Sequence, residues 1–538
     1  MKKRLIIFSL LLVVLLAACS NNNAKNKGLE DSVAESNKET SKGGTFVIPI
    51  NSDSVKNMTP INTLGSDDQM IAFQPCFDPL FVQSNEGIRY YLAKSIEQIN
   101  DEGTKFKMTL QDDAVWHDGE PITSDDVVFT VKALLEPSNN GSTNLVSYMG
   151  NDVTVDKIDD KTVEISLVEP YSAFTSMFGR IQLIPKHIFN GNTKIFEEGD
   201  AVNAGIGSGP FKLVEYKSGE SIVYKRNDNY YRGKAPLDQV IIRVMPDLNA
   251  QEAALQSGEI SVMRVADQAK LDAYKANDNF SINSIPEGRL NYMTFNYQSP
   301  IMKNEKAREA ICKALNIDEI IVGAYGSKEL ALPAKNFMSP ENLYYNDDMT
   351  GYEQNIEEAK KLAKESGLVD QPLNYIYNQQ RPNMAETAQI VQQQLAKIGV
   401  EVKLQGLDGA AFFPKLFAAW ITGKTVEDTS WDLATNGFDQ MNSDPATVIR
   451  EYIGPNAGNG FYSSEETVKL WNKASKAVDL KERESLFKEL QQSISDDYSM
   501  YPMANTNYVM VAQKGFHGLD SVSRVPVFED YLQIYFEK

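Results

Sequence analysis

The chain has 538 residues, of which 42% are hydrophobic and 23% charged, and its formal net charge is −20 at pH 7. This length allows roughly two to four domains with sizeable cores. The acidic balance argues against nucleic acid as a partner, and three cysteines are too few for a disulfide scaffold.

The first residues have the pattern of a secretory signal. A basic run at Lys2–Arg4 precedes an apolar run at Leu5–Ala18 that is too short for an ordinary transmembrane helix. Leu16-Ala17-Ala18-Cys19 resembles the lipobox of bacterial lipoproteins, which implies cleavage before Cys19 and its lipidation; an ordinary signal peptide containing a cysteine is the alternative. We predict a signal peptide at 1–18, a lipidated cysteine with a disordered tether at 19–43, and lipid anchoring on the extracellular face of the cell membrane.

The first half of the chain is predicted to be rich in β-structure. A strand begins at Gly44, and residues 104–110 alternate as a half-buried strand. Residues 152–167 and 209–226 have the pattern of hairpins. A short helix then closes near Gly258 and is followed by another strand.

The second half changes to an α/β pattern. Val391, Leu395 and Ile398 lie on one helical face, Gly399 ends that helix, and an alternating strand follows. Strand-like segments lie at 372–378 and 431–438, and strand-helix-strand alternation favours an α/β unit. Residues 465–495 are predicted to be helical, and a final strand follows whose return to the first half is left open.

The segment "VWHDGEPITSDDVVFT" (Val115–Thr130) concentrates four carboxylates around His117. A metal site, an acid/base centre and a turn before a helix are the three interpretations. Asp118-Gly119 is a turn dipeptide, and Thr123 with Asp126 fits a capping box. No second histidine is near, and the calcium-loop pattern fails at Pro121. We therefore predict a turn whose carboxylates are exposed to solvent, followed by a capped helix, with no metal and no catalytic role.

Four segments together resemble one family. They are "LQDDAVWHDGEPITSDDVVFT" (110–130), "GIGSGPFKLVEYKSGESIVYKRNDNYY" (205–231), "YMTFNYQSPIMKNEKAREAICKALN" (292–316) and "WDLATNGFDQMNSDP" (431–445). In this order they resemble the family-5 extracellular solute-binding proteins of bacterial ABC importers. The resemblance extends over residues 44–538.

The resemblance implies an α/β, two-lobed periplasmic-binding-protein-like fold with an extra domain, mixed sheets and a hinge of two crossing strands. The crossings are expected near Asn291–Phe295 and Asn507–Val511. Domain I would comprise 44–77 with 205–287 and 510–538, domain II 78–204, and domain III 288–509.

The implied function is that of a substrate-binding lipoprotein that captures extracellular oligopeptides between two lobes and delivers them to a membrane permease. The expected partners are the ABC permease and ATPase subunits, and the protein is expected to be a monomer without a cofactor. A non-peptide solute, such as a metal complex or another small molecule, and a peptide-pheromone receptor are the alternatives. An enzyme is not expected, because "GIGSGP" matches neither a nucleophile elbow nor a dinucleotide loop.

The resemblance also implies ligand-binding residues. Gly437-Phe438 stands where peptide binders often have Gly-Trp, so Phe438 would wall the groove; a core phenylalanine on a strand is the alternative. Asn436 and Asn296 are predicted polar contacts.

One position departs from the family pattern. Met441 occupies the place of the carboxylate that usually holds the ligand's ammonium group, and a thioether cannot balance that charge. Asp439 or Asp444 could substitute, although neither is at the matching position. This departure predicts weak dependence on a free ligand N-terminus.

Overall fold

The computed structural model describes residues 43–62, 67–84, 87–418, 427–440, 444–450, 464–520, 528 and 530–537. Residues 1–42, with the predicted signal peptide, Cys19 and nearly all of the tether, lie outside this range. Within the described chain, no helix combines the length and apolarity that a membrane span requires.

A four-stranded sheet, called sheet A, joins the start of the chain to the second predicted hairpin. Strand β1 (Thr45–Ile50) runs parallel to β12 (Gln239–Val244), which pairs antiparallel with β11 (Ser221–Arg226), and β10 (Phe211–Lys217) completes the hairpin. The prediction of this hairpin is confirmed.

The C-terminal segment packs beneath sheet A. The ring of Phe46 on β1 lies 5.1 Å from that of Phe516 and 5.3 Å from that of Phe528, centroid to centroid. The end of the chain therefore returns to the core of its first half.

A second four-stranded sheet, sheet B, is antiparallel throughout. Its order is β4 (Ala93–Gln98), β5 (Lys105–Leu110), β9 (Thr162–Ser166), β8 (Thr154–Lys157). The hairpin β8–β9 and the alternating strand β5 were both predicted and are confirmed.

A seven-stranded sheet, sheet C, contains the two longest strands. Its order is β13 (Val262–Arg264), β19 (Met500–Gln513), β14 (Phe280–Phe295), β18 (Leu433–Asp439), β16 (Leu373–Asn378), β17 (Val402–Leu407), and β15 (Ala331–Pro333) also pairs with β19. Strands β16, β17 and β18 are parallel. The predicted α/β unit is confirmed.

The remaining elements are short strand pairs and the helices. The pairs are β2 (Phe81–Ser84) with β3 (Gly87–Tyr90), β6 (Ser147–Tyr148) with β7 (Asn151–Asp152), and β20 (Phe516–His517) with β21 (Tyr535–Phe536). The helices are α1 (Asp67–Phe73), α2 (Ser124–Leu135), α3 (Phe174–Phe178), α4 (Leu248–Ser257), α5 (Gln268–Lys275), α6 (Glu305–Ala314), α7 (Ile317–Ile320), α8 (Ile356–Glu365), α9 (Pro382–Ala396), α10 (Gly409–Leu416), α11 (Pro445–Arg450), α12 (Glu465–Lys476) and α13 (Leu480–Asp496).

Strands β14 and β19 form the crossing. Their antiparallel register is interrupted between Pro286 and Arg289. Before this interruption β14 pairs with the part of β19 that contacts β13, and after it β14 lies between β19 and β18. The interruption lies a few residues before the predicted segment Asn291–Phe295 and opposite Asn507, the first residue of the other predicted segment; the positions of the crossings stay predictions.

One apolar core extends from sheet B to the last helices. It includes Trp116 and Phe174 together with Trp471 on α12 and Phe487 on α13. Predicted domains II and III thus share a core, and the three-domain division stays a prediction.

Candidate functional site

A cavity of about 790 Å³ lies beside the crossing strands. It is lined by Glu287, Arg289 and Asn291 of β14, by residues 263–270 and 323–326, by Thr506 and Asn507 of β19, and by Leu248, Leu330, Arg381, Asn383, Met384 and Glu386. Ligand cavities in proteins commonly measure roughly 300–1,000 Å³. The cavity is therefore the leading candidate for a binding site in the described structure.

Strand alternation sets the wall of this cavity. Arg289 and Asn291 are two residues apart on β14, so their side chains lie on the same face. The register pairs Asn291 with Gly437 on β18, which places Gly437 on that face as well.

Position 437 requires a glycine because the side chains of Asn291 and Arg289 lie very close to its backbone. A Cβ at this position would lie 2.4 Å from Oδ1 of Asn291 and 2.9 Å from Nη2 of Arg289. Nη2 of Arg289 donates a hydrogen bond to the Gly437 carbonyl at 2.9 Å. Any larger residue would push both polar side chains from their positions.

The amide of Asn291 is unusual among the wall residues. Asn291 is 2% exposed, and its Nδ2 has no hydrogen-bond partner among the described residues. Buried polar groups are nearly always hydrogen-bonded, so such an atom calls for an explanation.

An ion pair fixes the opposite part of the wall. Nη2 of Arg264 lies 2.7 Å from Oε1 of Glu287, which is 4% exposed, and Oγ1 of Thr506 donates to Oε2 of Glu287 at 2.5 Å. The Arg264 guanidinium also lies 4.6 Å from the centroid of the Tyr508 ring. These contacts join β13, β14 and β19 at the crossing.

The start of α9 closes another side. Arg381, Asn383 and Met384 line the cavity, as does Tyr325 from the preceding segment. Burial raises the pKa of Tyr325, so its hydroxyl remains uncharged.

The structure separates Phe438 and Asn436 from this cavity. Both alternate with Gly437 and lie on the other face of β18. The Phe438 ring is half-buried and lies 5.6 Å from that of Tyr292, and Nδ2 of Asn436 donates to the Tyr292 hydroxyl at 3.4 Å. Phe438 packs against the core that includes sheet B, as the alternative interpretation expected.

Asn296 and Asp444 have structural partners. Asn296 is fully buried, and its Nδ2 donates to the carbonyls of Asp428 and Trp431 at 2.7 Å each. Oδ1 of Asp444 accepts from the Ala446 amide at 2.9 Å and from the Ser172 hydroxyl at 3.1 Å, and burial raises its pKa. The structure brings neither residue to the cavity.

Other predicted residues lie where less is described. Asp439 is the last residue of β18 and pairs in register with Arg289, but its side chain is outside the description. Met441 and Cys19 lie outside the described residues.

The segment Val115–Thr130, here called the turn motif, is structural. Nδ1 of His117 accepts from the Gly207 amide at 3.1 Å, and Nε2 must therefore carry the proton toward the Gly209 carbonyl at 3.0 Å. Burial lowers the pKa of His117 to about 4, which keeps the ring neutral. No group of three or more potential metal-ligating residues stands together within the described structure.

The carboxylates of the turn motif also have defined partners. Oδ2 of Asp126 accepts from the Thr123 amide, and Oδ1 accepts from the Lys186 amide, both at 2.9 Å. Asp118 pairs with His187 at 2.8 Å. The predicted turn and the Thr123 cap of α2 are confirmed, but the expectation of solvated carboxylates is wrong for Asp126, which is buried.

Sequence reasoning missed the residues that line the cavity. Arg289, Asn291, Tyr325 and Arg381 belong to separate segments without a common motif. The one available signal was the run "GRLN" at Gly288–Asn291, which places polar residues inside β14 just before its apolar end.

Comparison with known proteins gives consistent matches. The family model described as bacterial extracellular solute-binding proteins, family 5, matches residues 87–460. The oligopeptide-binding protein AppA of Bacillus subtilis (strain 168) is 28% identical over 501 residues, 88% of each chain. Heme-binding protein A of Haemophilus influenzae is 24% identical over 510 residues, covering 90% of this chain and 91% of the relative.

A solved structure shares the fold. The ABC transporter substrate-binding protein CtaP from Listeria monocytogenes matches with a TM-score of 0.84 and 32% identity, over 92% of this chain and 100% of that protein. This match confirms the predicted fold class.

Proposed function

Since the chain belongs to the bacterial extracellular solute-binding proteins of family 5, we propose that it captures extracellular oligopeptides in the cavity beside the crossing strands and passes them to the permease of an ABC importer. Members of this family are solute-binding proteins of such importers and not enzymes. The observation that carries the proposal is the 790 Å³ cavity beside strands β14 and β19.

The polar lining supports a peptide as the ligand. A peptide offers carbonyl acceptors and amide donors at every residue, and the wall offers side-chain donors from Arg289, Asn291 and Arg381. Closure of lobes about extended crossing strands is a common binding motion, and a ligand that prefers the closed state shifts the population toward it.

A lipid anchor at Cys19 completes the proposal. It would hold the folded body at the extracellular face of the cell membrane, as a monomer near its permease and ATPase subunits. Replacing Cys19 with alanine should abolish lipid labelling and release the protein into the medium.

A non-peptide solute is the second candidate, because one relative is named as a heme-binding protein. Thermal shift with a peptide library and with hemin separates the two. A peptide at roughly 100 times its Kd should add about 2.7 kcal/mol of stability. If hemin stabilised the protein and no peptide did, the peptide proposal would be rejected. A pheromone receptor, by contrast, would bind a peptide without supporting uptake of that peptide.

The Met441 position predicts how such a peptide is held. Acetylating the N-terminus of a binding peptide should weaken its affinity by much less than tenfold. In free energy, the loss should be well below about 1.4 kcal/mol. Complete loss of binding would show that a carboxylate holds the amine, and Asp439→Asn would test whether it is that of Asp439.

A further inference from the structure

We propose that the segment Glu169–Ser172, here called the latch, fastens predicted domain II to predicted domain III and has to release each time a peptide enters or leaves. The latch lies between β9 and α3. Glu169 and its partner Lys476, at the end of α12, are 307 residues apart in the chain. This inference rests on the proposed function, since capture between two lobes requires that the lobes part.

Three polar contacts join the latch to predicted domain III. The Ser172 amide donates to the Ser475 carbonyl at 2.8 Å, and the Ser172 hydroxyl donates to Oδ1 of Asp444 at 3.1 Å. Nζ of Lys476 lies 2.6 Å from Oε2 of Glu169, and these two side chains are 40% and 32% exposed. Separation of the two predicted domains would break all three contacts at once.

The latch is also anchored on its own side. Just before it, the Leu167 amide donates to the Thr104 carbonyl at 2.8 Å. Within it, the Tyr171 ring stacks on that of Tyr148, with 5.2 Å between the centroids. Both anchoring partners belong to predicted domain II, so the latch moves with that domain.

The side of α12 that carries Ser475 contains polar atoms without partners. Trp471 and Ser475 are four residues apart, on one side of the helix, and are 2% and 0% exposed. Nε1 of Trp471 and Oγ of Ser475 have no hydrogen-bond partner among the described residues. Such groups are costly in a permanent core. On a surface that opens they are hydrated in the open state, so the pattern favours a contact that separates.

The surfaces on the two sides of the latch fit closely. A Cβ at Gly103, in the turn between β4 and β5, would lie 2.9 Å from Cγ2 of Val478 and 3.5 Å from Cβ of Pro170. Gly103 therefore lets this turn, the latch and the segment between α12 and α13 meet. A close fit of this kind favours one defined closed arrangement.

The test compares two backbone amides of the full chain by hydrogen exchange, read at single residues by mass spectrometry. The amides of Ser172 and Leu167 both donate at 2.8 Å, but only that of Ser172 crosses between the predicted domains. Exchange protection reports the local opening equilibrium. Without peptide, we expect the protection factor of the Ser172 amide to be about tenfold or more below that of Leu167.

Charge reversal at Lys476 then tests the ion pair of the latch. Lys476→Glu places two carboxylates together, so it should lower the protection factor of Ser172 about three- to tenfold and leave that of Leu167 unchanged. Adding Glu169→Lys to this variant restores opposite charges and should restore the protection of Ser172.

Lys306→Glu is the matched control. It reverses the charge in the exposed pair of Lys306 with Glu365, whose atoms lie 2.7 Å apart within predicted domain III. The protection of Ser172 should stay as in the unmodified protein, because this pair does not join the two predicted domains.

An equimolar pool of synthetic tetrapeptides links the latch to binding. A peptide that prefers the closed state shifts the population toward it. The pool should therefore raise the protection factor of Ser172 about tenfold or more and leave that of Leu167 unchanged.

The outcomes separate the two levels of the proposal. Equal protection of Ser172 and Leu167 without peptide, or no effect of Lys476→Glu on Ser172, would overturn the latch and leave the proposed function standing. Peptides that raise the melting temperature without protecting Ser172 would do the same. Opening of Ser172 with no binding of any peptide would overturn the proposed function and leave the release of the latch standing.

Discussion

The turn motif and the cavity wall are both rich in polar side chains, but they differ in how those side chains are satisfied. In the turn motif, His117 and Asp126 are buried and bonded to backbone groups of other segments. In the cavity wall, Nδ2 of Asn291 is equally buried and has no partner among the described residues. Dense polarity in a sequence therefore does not identify a binding site; Asn291 stands out because it combines burial without a partner with a position on the cavity wall.

The largest effect on stability is expected at Asp126. Asp126→Ala leaves the Thr123 and Lys186 amides without their acceptor, and two lost hydrogen bonds to a charged group should cost roughly 4 kcal/mol. Urea unfolding of the full chain measures this loss.

Asp125→Ala is the matched control, since Asp125 is on the same helical turn and makes exposed ion pairs with Lys157 and Lys186. Such pairs contribute about 1 kcal/mol or less. Equal losses of unfolding free energy in the two variants would contradict the structural role of Asp126. A loss of peptide affinity in Asp126→Ala would show that the turn motif also affects ligand binding.

The pH dependence of stability should report on His117. Burial lowers its folded pKa to about 4 from an ordinary value of 6.5. As the pH falls below 6.5 the unfolded chain takes up a proton that the folded chain refuses, so stability is lost progressively toward pH 4. The shift corresponds to about 3 kcal/mol in all.

Melting temperatures between pH 7.5 and 4 measure this dependence. His117→Gln keeps a donor and an acceptor without a titrating ring, and should flatten that part of the profile. An unchanged profile in the variant would assign the acid sensitivity to other groups.

The smallest effect is expected at Thr123. The Asp126 carboxylate already receives the Thr123 amide, so Thr123→Ala should cost about 0.5–1 kcal/mol, at the low end for a cap residue. The same urea titration measures it. A loss as large as that of Asp126→Ala would show that the threonine hydroxyl carries the cap.

Local patterns predicted much of the fold. The two hairpins and the β16–α9–β17 unit follow from alternation and helical spacing within short stretches, and Gly399, with φ of +84°, ends α9 as expected.

The site depends on pairing that is distant in sequence, and local patterns could not predict it. Arg289 and Gly437, which meet at the cavity wall, are 148 residues apart. Whether Phe438 or Gly437 faces the cavity depends on the register between β14 and β18, because a shift of one residue exchanges the two faces of a strand.

The most direct test of the account is the affinity of Gly437→Ala for a peptide selected from the library, measured by isothermal titration beside Gly406→Ala. Gly406 lies on β17 in the same sheet and does not line the cavity; the atoms nearest to an added Cβ there belong to the side chains of Gln379 and Tyr377, at 3.1–3.2 Å. We predict that Gly437→Ala, by displacing Asn291 and Arg289, weakens binding about tenfold or more, and that Gly406→Ala binds like the unmodified protein. Unchanged affinity in Gly437→Ala would contradict the assignment of this cavity as the ligand site.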